Sequence, residues 1–189
     1  MLNINEFISK ISEKGGILDV SRFKVILPQV QGSDLSGEDL NLLCISVDMP
    51  GRQITTQPRR IGIKEEKVAD GFAVDDVNIT FYMPADGSIK KYFETWASLV
   101  VPNRMGIVNY KIEYQKPVII EHLTRLGTVS HTTSLIEAFP TSLQAIELSS
   151  ENTNQLSRYA VQLSYTDFTT SGSDGTTNFS GGPLGNTPI

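Results

Sequence analysis

Apolar and polar residues alternate from Val77 to Met83: Val77, Ile79, Phe81 and Met83 share one side, and Asn78, Thr80 and Tyr82 share the other. A period of two marks a half-buried β-strand. Pro84-Ala85-Asp86-Gly87 interrupts it, and from Ser88 the period lengthens to that of a helix. Ile89, Tyr92, Phe93, Trp96, Leu99 and Val100 form one stripe, with Lys90, Lys91, Glu94 and Ser98 opposite. Asp86 or Ser88 is placed to cap the first turn, and Pro102 stops the last. The spacing therefore predicts a helix over about 88–100 with Tyr92, Phe93 and Trp96 in the core, lying across the open face of a sheet.

The same pattern extends along the chain. Ile4, Phe7, Ile8 and Ile11 predict a short amphipathic helix ending at Gly15-Gly16. So short a helix is marginal alone, so its stripe is expected to dock, on its own domain or on a neighbouring copy. Val20 to Leu27 predicts a strand with Phe23, Val25 and Leu27 on one face, and Leu40 to Val47, apolar on nearly both faces, predicts a central strand. Between Met49 and Gly71 the periodicity gives way to Arg52, Arg59, Arg60 and Lys64 followed by Glu65, Glu66 and Asp70, which predicts a long charged loop of the kind that carries function. Val108 to Tyr114, Val118 to Leu123, a strand within Thr128 to Phe139, and Leu143 to Leu148 follow, with Pro140 as punctuation. Tyr159, Val161, Leu163 and Tyr165 form the inward side of the last predicted strand. The result is a mainly β chain: an antiparallel β-sandwich or barrel with one packed helix, a short N-terminal helix and a flexible C-terminal tail.

Composition narrows the functional classes. A chain of 189 residues, 39% hydrophobic and 20% charged, is large enough to bury a core, and we place the domain at 1–168. Residues 169–189 are rich in Gly, Ser and Thr and are expected to form the tail. A formal charge of −5 argues against wrapping nucleic acid by phosphate neutralisation. Cys44 is the single cysteine, so no disulfide framework or cysteine metal site forms. With no signal-peptide pattern and no run near the roughly 20 apolar residues of a membrane span, folding is expected in the cytoplasm, without a membrane anchor.

No constellation for catalysis emerges. His122 and His131 lie far from any Gly-x-Ser-x-Gly turn, no acidic or histidine spacing fits a metal, and no phosphate-binding glycine loop is present. Neither enzyme, metal nor cofactor is expected. What remains is a β domain with sheet edges to cover, and sharing sheets between copies is one way to cover them.

Four stretches then resemble the tail tube proteins of contractile-tailed bacteriophages: FISKISEKGGILDVSRFKVIL, MPGRQITTQPRRIG, VNITFYMPADGSIKKYFETW and EAFPTSLQAIELSSENTNQLSRYAVQLSYTDF. The third and fourth are the most specific, and the resemblance spans roughly Asn5 to Phe168. It implies a virion structural protein, assembled in the host cytoplasm, whose six-subunit rings stack into a hollow tube within a contractile sheath. It further implies partners in the sheath protein, the baseplate tube initiator, the tail terminator and the tape measure protein, with double-stranded DNA passing through unbound. Phe7, Ile8, Ile11, Arg52, Arg59, Arg60 and Lys64 would then lie at contacts between subunits and rings. Glu65, Glu66, Asp70, Asp75 and Glu147 are the acidic candidates for a bore that repels phosphate. A baseplate tube initiator or a related secretion-system ring shares this domain, and a monomeric β-sandwich binding module is the reading from another class.

Overall fold

The computed structural model describes residues 3–13, 16–33, 35, 37–102, 106–146 and 156–172. Its centre is the predicted strand and helix. Strand β5 (Val77–Tyr82) buries Val77, Ile79 and Phe81, and helix α3 (Ser88–Val100) buries Ile89, Tyr92, Phe93 and Trp96. The Phe93 ring lies 5.4 Å from Phe81 and 6.3 Å from Tyr159, so the helix stripe is seated on the sheet by aromatic contacts. No side chain caps α3 in the usual way: its N-cap is Gly87, left-handed at φ 66°, and Asp86 Oδ1 accepts the Ser88 N–H at 3.0 Å.

A seven-stranded antiparallel sheet surrounds this core. Its path runs β1 (Phe23–Ile26), β6 (Lys116–Leu123), β7 (Val129–Leu143), β8 (Arg158–Ser164), β5 and β2 (Cys44–Val47), with β9 (Asp167–Gly172) also on β7. The long strand β7 belongs to both halves. Its residues 129–138 pair with β6 and 131–136 with β9, whereas 139–143 pair with β8. The change of partner falls at Glu137, which has a φ of 58° and turns the strand. Lys111 and Thr166 both reach the Glu137 carboxylate, and these hydrogen bonds, Lys111 first, hold its pKa below the usual value.

Several expectations are corrected. Leu40 to Val47 is not a central strand: α2 (Gly37–Leu42) occupies its first part and buries Leu40, and β2 is an edge strand at the end of the sheet path. Val108 to Tyr114 is not a strand, because Lys111–Tyr114 form one helical turn, α4, in which Tyr114 alone is buried. Pro140 does not end a strand; it lies within β7, where an irregularity in pairing between Pro140 and Ser142 accommodates its missing N–H. Strand β8 is as expected but is not the last, since β9 carries the sheet past Phe168 to Gly172.

The largest correction concerns Met49 to Gly71. Instead of a loop, β3 (Arg52–Ile61) and β4 (Lys64–Val74) form a two-stranded ribbon paired with itself and with no strand of the main sheet. Gly62 and Ile63 make its tip, and Gly62, at φ 66°, supplies the positive dihedral that a two-residue hairpin turn of this kind places first. Every residue of the ribbon from Arg52 to Ala73 is exposed, so no apolar face alternates with a polar one.

Candidate assembly interface

The predicted contact residues fall on two separate projections. Helix α1 (Ile4–Glu13) buries none of its residues, and Ile4, Phe7 and Ile8 are each more than half exposed, while Ile11 is half-buried. Gly16, left-handed at φ 93°, returns its N–H to the Ile11 carbonyl at 2.8 Å and ends the helix as expected; Gly15 lies outside the described residues. The second projection is the ribbon. In its register Arg59 stands opposite Glu66 and Arg60 opposite Glu65, and Ile61 is opposite Lys64. Directly opposed residues share a face, so each arginine shares its face with a glutamate, and Arg60 Nε donates to the Gly62 carbonyl at 3.3 Å.

This register changes the electrostatic picture of the acidic candidates. Between Arg52 and Val74 the ribbon holds five basic side chains against three acidic ones, although the whole chain carries −5. Asp70 sits at the bulge where Thr55 pairs with Gly71 and Thr56 with Ala69. Asp75 is exposed in the link from β4 to β5, and Glu147 lies outside the described residues. Exposed apolar residues accompany the charges on the ribbon: Ile54, Ile61, Ile63, Val68 and Phe72. A two-stranded ribbon is marginal in water by itself, and exposed apolar surface of this kind makes it a candidate interaction surface.

Arg52, at the base of the ribbon, turns back to its own body. Its guanidinium donates to the Asp167 carboxylate and lies 4.8 Å from the Phe72 ring centre and 5.2 Å from that of Phe168. Tyr165, buried behind Phe168 at 6.3 Å, has its phenol pushed up to about 12, by burial first and then by Asp75, Asp76 and Asp167, with Arg52 opposing. No local pattern could have paired Arg52 with Asp167, which is 115 residues away.

A third surface was legible as outward positions but not as a site. Across β2, β5 and β8 the face turned from the core presents Ser46, Asn78, Thr80, Ala160, Gln162 and Ser164. These six are small or polar and uncharged, but the same face continues into Tyr82 and Arg158, paired with each other, at one end and into Asp48, whose carboxylate accepts the Asn78 amide N–H at 3.0 Å, at the other. A cleft of about 340 Å³ opens where the edges β1 and β2 approach, lined chiefly by Val20, Phe23, Ile45, Val47, Met49 and Ile120. His122 borders it and is opposite His131 in the β6–β7 register; its Nε2 lies 3.1 Å from the Asp19 carbonyl. Burial raises the Cys44 thiol to about 12, far from thiolate chemistry. Among the described residues no group of three His, Cys, Asp or Glu side chains could hold a metal, and no helix is long and apolar enough to cross a membrane.

Comparison with known proteins bears on these surfaces. A family model described as phage tail tube protein matches residues 16–171. A chain from the tube-terminating cap of the anti-feeding prophage superposes with a TM-score of 0.61 at 16% identity, covering 83% of this chain and 92% of that one. One from the anti-feeding prophage baseplate gives 0.57 at 16%, covering 82% and 96%. One from the extended sheath–tube complex of an extracellular contractile injection system, PVC, gives 0.56 at 20%, covering 87% and 97%. At these identities the likeness is one of fold. No curated protein matches.

Proposed function

Because the chain belongs to the phage tail tube protein family, we propose that it is the repeating subunit of a hollow tube, six copies to a ring, inside a contractile sheath. The observation that carries this reading is the pair of projections, α1 and the β3–β4 ribbon, which expose apolar residues that the subunit leaves uncovered. Each is covered by a second copy of the chain. Phe7, Ile8 and Ile11 dock on a neighbouring subunit, and Arg59, Arg60 and Lys64 meet the next ring.

The polar face of β2, β5 and β8, uncharged along its middle with Arg158 and Asp48 at its ends, is the surface we assign to the bore. Hydroxyl and amide side chains along its middle hold water and offer phosphate no cation, and Arg158 stands at one end beside Tyr82, so DNA slides past most of the face without being gripped. The chain's net charge of −5 adds a weak repulsion over a Debye length of about 8 Å. Asp75 and Glu147 remain with this role. Glu65, Glu66 and Asp70 belong to a ribbon that is net basic, and the reading gives them to ring contacts.

Sheath, initiator, terminator and tape measure proteins are the partners that follow, and the virion the destination. A second reading has one observation in its favour: the baseplate and cap chains of the anti-feeding prophage share the fold, so a single ring at a tube end is built by the same means. Negative-stain microscopy of the purified protein over a concentration series, with and without preformed tube ends as seeds, separates the two. Hollow filaments with a regular ring repeat are expected; discrete rings that do not extend even from seeds point to a tube end, and monomers under both conditions refute the reading.

A further inference from the structure

The ribbon pairs with no strand of the body, so its direction has to be set by something other than a β-ladder. It joins the body covalently through residues 48–51 and 75–76. Two short links of this kind leave a marginal two-stranded element free to swing. We propose that Arg52 is a positioning residue that fixes the direction in which the ribbon leaves the body, by bridging to Asp167 and lodging its guanidinium between Phe72 and Phe168.

The geometry is that of a clasp with one half on each part. Arg52 opens β3, opposite Val74 at the end of β4, so it sits where both strands leave the body. Phe72 belongs to the ribbon, while Asp167 and Phe168 belong to β9. Asp167 is itself fixed: it pairs with Ile136 on β7, its Oδ1 also accepts the Phe168 N–H at 2.8 Å, and its side chain is 18% exposed. Phe168 packs on the core, edge to face with buried Tyr165. A line of contacts thus runs from the core through Phe168 and the guanidinium to Phe72.

Arginine is suited to this place. Its planar head stacks on aromatic faces while its edge donates to a carboxylate; the lysine ammonium, a point charge, does one or the other poorly. Asp75, Asp76 and Asp167 all push the Tyr165 phenol upward after burial, and Arg52 opposes them.

The test measures direction. Spin labels at Ile63→Cys, on the tip, and Lys90→Cys, on the exposed side of α3, in a Cys44→Ser background, report the tip-to-body distance distribution in the soluble full chain. A narrow distribution is expected, broadening about twofold with Arg52→Gln or Asp167→Asn, less with Arg52→Lys, and narrowing again in the swap Arg52→Asp with Asp167→Arg. Melting curves accompany each variant, so a change confined to the ribbon is distinguished from loss of the fold. An unchanged width in both Arg52→Gln and Asp167→Asn overturns the clasp, as does a swap that fails to narrow it. The inference deepens the tube reading, and the two fail separately: a broadened ribbon that still assembles normal tubes keeps the clasp and removes the ribbon from ring stacking.

Discussion

The indole Nε1 of Trp96 donates a 2.8 Å hydrogen bond to the main-chain carbonyl of Tyr114 within the core. That bond ties α3 to the helical turn α4, which leads directly into β6, so the helix anchors both the sheet beneath it and the connection beside it. The indole is fully buried against Tyr92 and Phe93. Trp96→Ala is expected to cost about 3–5 kcal/mol in denaturant unfolding, from lost burial and the cavity left. Trp96→Phe keeps most of the volume but orphans the Tyr114 carbonyl, for which about 1–3 kcal/mol is expected. No loss in Trp96→Phe would show that packing alone matters at this site, whereas equal losses in the two variants would put the whole cost on the hydrogen bond that both remove.

How far the sequence disclosed this architecture depends on how each element is buried. Strands β5 and β8 and helix α3 each hide one face, so their periods stand out in the order of Val77, Ile79 and Phe81 or of Ile89, Tyr92, Phe93 and Trp96. The ribbon hides neither of its faces along most of its length, so no alternation was there to find. Leu40 to Val47 misleads for a different reason. A helix stripe ending in buried Leu40 runs straight into an edge strand, and the joined apolar residues imitate a single central strand. The tie from Arg52 to Asp167 is a tertiary event with no local trace.

Glu137 gives the pH dependence. The Lys111 hydrogen bond and then that of Thr166 lower its folded pKa below the ordinary 4.5. A depressed carboxylate contributes stability above its unfolded value, and the contribution disappears as pH falls through the lower folded value. Thermal melting of Glu137→Gln against the parent should therefore show a deficit near neutral pH that closes under acid conditions. The pair is exposed, so the deficit should be small and sensitive to salt. A deficit that grows on acidification would contradict the assignment.

Charge reversal on the ribbon should separate assembly from folding. Arg59 and Arg60 are exposed and lie near the tip of the ribbon, away from its root at Arg52 and Val74, so Arg59→Glu with Arg60→Glu should leave the melting temperature of the subunit unchanged. Tube growth, followed by turbidity and sedimentation, should be lost or strongly slowed. Normal growth would place the ring contact elsewhere.

The N-terminal helix is open to the same logic. Because Phe7 and Ile8 of α1 are each more than half exposed in the subunit, Phe7→Ser with Ile8→Ser should change unfolding free energy by no more than about 0.5 kcal/mol. Assembly should fall sharply, measured as the concentration at which filaments first form. If the variant instead unfolds more readily, α1 docks on its own domain in solution.

Strand β7 has a mechanical consequence. Fifteen residues from Val129 to Leu143 run unbroken through both halves of the sheet, bending at Glu137 rather than stopping there. A load arriving on β1, β6 or β9 is handed to β8, β5 and β2 along a covalent main chain, so the two halves cannot shear past each other without tearing the hydrogen bonds on either side of the bend. The elastic give of any column built from such subunits then resides at the seams between copies, and the subunit behaves as a stiff brick.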